Sequence, residues 1–228
     1  MINDSLIILA AGLSSRMKKS VSNNNLSKNS IEQANNTEKG LISIDKNGRP
    51  LIHYLLLNAK SAGFKTIYLV IGQKSKSFKN YFNKNIYDGL DIKFAIQYFD
   101  INRVKPSGTA DALYQAITQF PVLKSLNFCV CNSDNLYSSK ALNSVRSTSF
   151  LNAFISYDRD YLNFSTEKVN SFSILKLNKN GYLEDILEKP TAKDYEFFKD
   201  KNGKIRVNMN LFKFNGSVFF EYLKNCPF

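Results

Sequence analysis

Residues 5–10 (SLIILA) are an unbroken apolar run that stops at Ala11-Gly12. A strand is apolar at every position only when both of its faces are covered, as in the centre of a parallel sheet with helices on either side. The same rhythm repeats down the first half of the chain. Residues 49–62 (RPLIHYLLLNAKSA) carry helical spacing and stop at Gly63, and residues 66–71 (TIYLVI) are a second continuous run closed by Gly72. Residues 75–82 fit a short helix, and residues 92–99 alternate as a third strand. Residues 109–120 read as a helix opened by Ser107-Gly108 and closed by Pro121, and residues 126–131 (LNFCVC) as a fourth strand. Strand and helix in alternation imply an α/β fold, Rossmann-like and mixed, with a mainly parallel sheet and helices on both faces.

After residue 150 the texture changes. Residues 150–157 and 171–177 read as strands, Asn178-Lys179-Asn180-Gly181 is a hairpin turn, and residues 183–187 are the returning strand. Residues 205–214 form another strand and residues 217–223 begin a helix. A parallel first half is therefore followed by a more antiparallel second half. Residues 18–38 (KKSVSNNNLSKNSIEQANNTE) break the pattern, with Val21, Leu26 and Ile31 as their sizeable apolar side chains. So long a polar stretch is expected to be a mobile or disordered insertion.

Charge bounds the function classes. The chain has 31 Lys+Arg against 19 Asp+Glu, a formal net charge of +12. That balance alone would suggest nucleic acid or an anionic membrane. However, the cations are 25 Lys and 6 Arg, spread among 27 Asn, whereas base and phosphate forks favour Arg. The pattern fits a compositional bias or small polyanionic substrates better than a nucleic-acid surface. Residues 6–13, the longest apolar run, fall far short of the roughly 20 residues a membrane helix needs. The three cysteines form no C-x-x-C, which suits a reduced, cytoplasmic protein. His53 is the sole histidine, so a multi-histidine zinc site is excluded and a Ser-His-Asp hydrolase is left little to work with; a packing or capping role is expected of it. The chemistry falls to Lys, Arg, Asp and Glu.

The segment Leu9-Ala10-Ala11-Gly12-Leu13-Ser14-Ser15-Arg16-Met17 directly follows the first strand. Small residues there let backbone N–H groups approach a phosphate or base, and Arg16 adds a cation. Neither a dinucleotide G-x-G-x-x-G at this loop nor a G-x-x-x-x-G-K-[ST] loop anywhere is present. An ordinary strand-to-loop turn would look similar.

L-A-A-G-x-x-S-R-M resembles the opening signature of the sugar-1-phosphate nucleotidyltransferases, or nucleotide-sugar pyrophosphorylases, and later segments match that family in order. Glu38-Lys39-Gly40-Leu41 with Gly48-Arg49-Pro50-Leu51-Ile52 is similar to its P-K-x-L…G-x-P-L-I segment. Gln97, then Gly108-Thr109-Ala110-Asp111-Ala112, is similar to its base-recognition stretch. Asn132-Ser133-Asp134-Asn135 stands where the family has a metal-binding Asp, and Glu188-Lys189-Pro190 matches its E-K-P motif. Residues 207–212 (VNMNLF) resemble the sugar-facing strand that follows. The resemblance runs from residue 6 to about residue 223. It implies the nucleotide-diphospho-sugar transferase type of fold over residues 1–228 as a single nucleotidyltransferase domain.

The resemblance further implies NTP + sugar 1-phosphate → NDP-sugar + pyrophosphate, assisted by Mg²⁺. Arg16, Lys39 and Asp134 would be the catalytic residues, with Asp134 also the metal ligand. Ala10, Ala11, Gly12, Leu13, Gln97, Gly108, Thr109 and Ser133 would hold the nucleotide. Glu188, Lys189 and Asn210 would hold the sugar phosphate. These types suit the chemistry, because phosphoryl-type transfer between anions is mostly positioning and charge neutralisation. Nucleic acid and membrane are not expected as partners.

Plainer roles exist for several of these residues. Asp134 could cap a helix starting near residue 138, Lys39 and Lys189 could be surface lysines, and Glu188 could be a solvated strand end. Glu38 replaces the family's Pro, and the 18–38 stretch lengthens the gap from Arg16 to Lys39, so that Lys18 or Lys19 could substitute for Lys39. A second metal ligand is either missing, supplied by Asn208 or Asn210, or lost with a truncated C-terminus. Cytidylyl transfer to phosphocholine or a similar alcohol phosphate, and a non-catalytic nucleotide-sugar-binding module, stay open as alternatives.

Overall fold

Leu6, Ile7 and Ile8 are completely buried in the middle of the first strand, so both of its faces are covered. The computed structural model describes residues 3–12, 37–99 and 107–226. In chain order the elements are β1 (Ser5–Leu9), α1 (Leu51–Ser61), β2 (Thr66–Gly72), α2 (Lys76–Lys84), β3 (Asp91–Gln97), α3 (Thr109–Gln119), β4 (Asn127–Asn132), α4 (Ser139–Ser147), β5 (Ala153–Asp158), α5 (Thr166–Asn170), β6 (Ile174–Leu177), β7 (Leu183–Leu187), α6 (Asp194–Phe197), β8 (Arg206–Asn215) and α7 (Gly216–Lys224). Single 3-10 turns form at Lys39–Leu41, Pro121–Lys124 and Arg159–Tyr161. The chain divides into two compact units, Met1–Ala153 with Phe212–Phe228, and Phe154–Leu211.

In the first unit the strands run β3-β2-β1-β4, all parallel, with Ser5 opposite Thr66 and Leu6 opposite Cys129. The end of β8 joins antiparallel to β4, pairing Phe212 with Val130 and Asn215 with Asn127. Because side chains alternate along a strand, Ile7 points to one face and Leu6 and Ile8 to the other. Ile7 packs with Val70, Ala112, Ala116, Phe128 and Leu223 beneath α3 and α7. Leu6 and Ile8 leave the fully buried Leu55, Leu56 and Ala59 of α1 and Leu142 of α4 for the opposite face. Each such aliphatic side chain contributes roughly 1.5–3 kcal/mol by leaving water. Gly216 opens α7 where only glycine fits, since a Cβ there would lie 1.9 Å from the Leu123 carbonyl oxygen. Lys213 of β8 is buried, and its Nζ donates to the Thr148 carbonyl at the end of α4, 2.5 Å away.

The lone His53 has a packing role. Its Nδ1 lies 2.9 Å from the Tyr87 hydroxyl, in an aromatic group with Tyr54, Tyr81 and Phe82. Burial, then the Arg49 charge, lowers its pKa, so the ring is neutral at pH 7. Cys129 and Cys131 are buried free thiols, and burial pushes the Cys129 pKa up to about 12.

The second unit is antiparallel, as its alternating sequence and turn residues predict. Strands β6 and β7 pair from Ile174–Leu187 to Leu177–Leu183, with an irregularity at Lys176/Leu177. The turn is held by the Asn178 carboxamide oxygen, which accepts from the N–H groups of Asn180 and Tyr182. Strand β8 begins here, with Val207 opposite Ile174. Ile174, Phe198, Ile205 and Val207 form a buried cluster here. Around it runs an ion network. Asp158 accepts from Lys204 at 2.5 Å with Arg206 at 3.9 Å, and Asp200 pairs with Arg206 at 2.7 Å.

Candidate active site

In the first unit, the sequence motifs fall at the carboxyl ends of the parallel strands, where open α/β sheets bind ligands. Ala10 prolongs β1 by donating to the Val70 carbonyl at 2.8 Å. Gly12 is exposed and has open space on the side where a Cβ would stand. At the end of β4, the Ser133 N–H donates to the Leu9 carbonyl at 3.0 Å, fixing Asp134 one residue past the strand-end pairing.

Lys39 reaches this edge through packing. Gly40 is buried against Ser133, and a Cβ on it would stand 3.2 Å from the Ser133 Cβ. The 3-10 turn can press this closely because residue 40 has no side chain, and the turn delivers Lys39 Nζ to Asp134 Oδ2 at 3.0 Å. Both side chains remain more than a third exposed, at 38% and 36%. Glu38, standing in for the family's Pro, has φ −66°, the value a proline ring would impose. Its carboxylate accepts from the Ser75 hydroxyl at 2.6 Å, anchoring the approach to Lys39. Asp134 does not cap a helix: α4 is capped by Ser138, whose hydroxyl accepts from the Ala141 N–H.

At the end of β3, Gln97 is 3% exposed. Its amide nitrogen donates to Asp111 Oδ2 at 2.7 Å and to the Gly108 carbonyl at 3.3 Å. Gly108 precedes α3 at φ 110° and ψ −164°, a conformation for glycine, and Thr109 is the exposed first residue of that helix. The sequence reading missed Asp111 as a partner of Gln97; its signal was a carboxylate in the first turn of a helix with an apolar buried face. Leu13 and Arg16 lie outside the described residues, as do Lys18, Lys19 and residues 20–36 of the expected insertion.

The second unit holds a separate group. Glu188 follows β7, and its Oε1 accepts from the Ser173 hydroxyl at 2.8 Å. Ser173 also accepts the Asn208 N–H at its carbonyl. Asn208 and Asn210 bond to each other, side chain to side chain at 3.1 Å and Asn210 N–H to Asn208 Oδ1 at 2.8 Å. Lys189 has φ 52° and Asn210 φ 57°. Asn adopts the left-handed region readily, whereas for a lysine it costs roughly 1–2 kcal/mol. Ser173 was not anticipated from sequence, because one serine in a serine-rich chain carries no signal by itself.

A family model described as "Nucleotidyl transferase" matches residues 34–226. The chain belongs to the nucleotidyl transferase family. Proteins from Staphylococcus epidermidis described as bifunctional protein GlmU are 25% identical to this nucleotidyl transferase over 221 residues, covering 96% of it. The chain spans 40% of the length of those relatives. The crystal structure of a UDP-glucose pyrophosphorylase complexed with UDP-glucose is similar in fold, with a TM-score of 0.68 and 18% identity over 98% of this chain and 80% of that one. The mixed α/β architecture with a mainly parallel central sheet is therefore the nucleotide-diphospho-sugar transferase fold. Among the described residues, no helix is long and apolar enough to cross a membrane.

Proposed function

We propose that residues 1–228 act as one catalytic domain that joins a nucleoside triphosphate to a sugar 1-phosphate, giving an NDP-sugar and pyrophosphate. An oxygen of the sugar phosphate attacks the α-phosphorus, and the bond from that phosphorus to the bridging β-oxygen breaks in line. The observation that carries this reading is the Lys39–Asp134 pair. It stands on the same strand-end edge as the Gln97–Gly108 turn. Strands β3 and β4 are three spacings apart in the order β3-β2-β1-β4, roughly 14 Å. That is about the reach of an extended nucleotide from base to phosphates.

The pair contributes little to stability, since exposed ion pairs are worth about 0–1 kcal/mol. Opening it is correspondingly cheap, and a triphosphate offers Lys39 more negative charge than one carboxylate does. Lys39 then offsets charge on the triphosphate and on the departing pyrophosphate, with Arg16 as the second cation. Asp134, released, would hold Mg²⁺, which binds one or two carboxylates together with substrate phosphate oxygens. Among the described residues no cluster of three acidic, thiol or imidazole groups could hold a metal, so the substrate would supply much of the coordination. When bound, the ion supplies charge neutralisation and orientation of the phosphates. Backbone groups at Ala10, Ala11, Gly12, Leu13, Gly108, Thr109 and Ser133, with the Gln97 amide, hold the nucleotide. Glu188 and Asn210 bond sugar hydroxyls, and Lys189 meets the sugar phosphate.

The test is pyrophosphate release over a panel of NTPs with sugar 1-phosphates and with phosphocholine, in the presence of Mg²⁺. Turnover with a sugar 1-phosphate is expected. Turnover with phosphocholine alone would redirect the reading to alcohol phosphates, and an NDP-sugar thermal shift without any turnover would leave a binding module.

A further inference from the structure

The Gln97 side chain is an amide, and its two ends have opposite hydrogen-bonding character. Which way round the amide sits is set by its neighbours, Asp111 and the Gly108 carbonyl. Asp111, in the first turn of α3, is 8% exposed and ionised carboxylates only accept. Both of its oxygens are used. Oδ2 accepts from Gln97 Nε2 at 2.7 Å, and Oδ1 accepts from Gln115 Nε2 at 2.9 Å. The Gln115 orientation is fixed independently, because its oxygen accepts the Tyr98 N–H at 2.7 Å and its nitrogen donates to the Tyr98 carbonyl at 2.8 Å. Gln97 is therefore held with its nitrogen against Asp111 and the Gly108 carbonyl. Among the described residues, none donates to its oxygen.

We propose that Asp111 is a positioning residue for nucleotide choice: it turns the Gln97 carbonyl oxygen toward the base, so that the base is read through an N–H donor on its hydrogen-bonding edge. This rests on the nucleotidyltransferase reading of the same site and adds the residue that orients its amide.

The sign of the contact can be reversed by one atom. In Asp111→Asn the new carboxamide must still accept from Gln115, whose orientation the Tyr98 backbone dictates. Its amino group then faces Gln97, and a nitrogen cannot accept the Gln97 N–H. Gln97 relieves this by flipping, at the cost of its longer bond to the Gly108 carbonyl, and so presents its own amino group to the base. A base N–H that met an acceptor now meets a donor.

The experiment measures binding of the preferred NTP by titration calorimetry, alongside turnover. It uses that nucleotide and an analogue whose edge N–H hydrogens are replaced by methyl groups. Wild type is expected to prefer the unmodified base by at least about tenfold. Asp111→Asn is expected to bind it about tenfold more weakly, with the loss falling on KM for the NTP more than on kcat. Its preference over the methylated analogue should fall below about threefold, a loss that mere loosening of the fold would not produce. Should Asp111→Asn not fold, Asp111→Ala removes the shorter of the two bonds that orient Gln97, leaves the Gly108 carbonyl as its acceptor, and is expected to lower the same ratio by a smaller factor. A wild type indifferent to methylation, or a variant that keeps the wild-type ratio, overturns the proposal alone. A wild type that binds no NTP removes the nucleotidyltransferase reading, and the proposal with it.

Discussion

The two units solve the problem of holding a site in different ways. The first buries a parallel sheet on both faces and places its candidate groups on the rigid strand ends, through backbone bonds such as Ser133 to Leu9 and Ala10 to Val70. The second has a small buried cluster of Ile174, Phe198, Ile205 and Val207, with charged and carboxamide side chains bonded around it. Its candidate groups are oriented by those side chains and by left-handed backbone at Lys189 and Asn210. Position in the first unit is a property of the fold; in the second it depends on individual polar contacts.

The sharpest way to break this comparison is Asp134→Ala. Because the pair with Lys39 is exposed, the urea midpoint should barely move, while kcat for pyrophosphate release should drop by at least about a thousandfold. An unchanged rate would remove Asp134 from the chemistry. Core truncations come next. Phe128→Ala should destabilise the first unit by about 3–5 kcal/mol, and Ile174→Ala the second by about 2–5 kcal/mol. Hydrogen exchange should show the loss of protection in the second case reaching across Ile174–Leu177 and Leu183–Leu187, because Ile174 pairs with Leu187 and packs in the cluster beneath both strands.

Acid should separate the units next. The hydrogen bond from Lys204, with the nearby Lys204 and Arg206 charges, holds the Asp158 pKa below its usual value. A lowered carboxylate pKa means the unfolded chain takes up the proton first. The stabilisation is complete above the ordinary carboxylate range near pH 4 and is lost as pH falls through the lowered pKa. Below pH 4, amides of the second unit should lose protection before those of β1 and β2, and Asp158→Asn should narrow that difference, the lowered Asp200 carboxylate keeping the rest. The smallest effect is expected from Ser173→Ala. Freed from the serine hydroxyl, Glu188 should raise KM for the sugar phosphate about threefold and leave KM for the NTP unchanged. Equal changes in both would mean that Ser173 supports the fold rather than Glu188.

The sequence was most readable where physics is local or periodic. Residues 5–10 and 66–71 announced buried strands, Gly108 marked the start of α3, and Asn178 with Gly181 marked the hairpin. Boundaries moved by a few residues, as at β5, expected from residue 150 and found from Ala153. The candidate site was legible only through motif order. What stayed hidden were pairs distant in sequence, such as Lys39 with Asp134 and Ser173 with Glu188, because no local pattern encodes which exposed side chains will meet.

The amino-acid sequence alone determined the class of fold, because continuous and alternating apolar runs leave few ways to bury their faces. It also supplied the candidate residues for the proposed chemistry. Tertiary structure alone decided that Gly40 packs on Ser133 and so brings a lysine to Asp134, and that Asp111 fixes which end of the Gln97 amide is presented. Burial is additive along a strand and is written in its own residues; a hydrogen bond's partner and polarity depend on what the fold brings beside it.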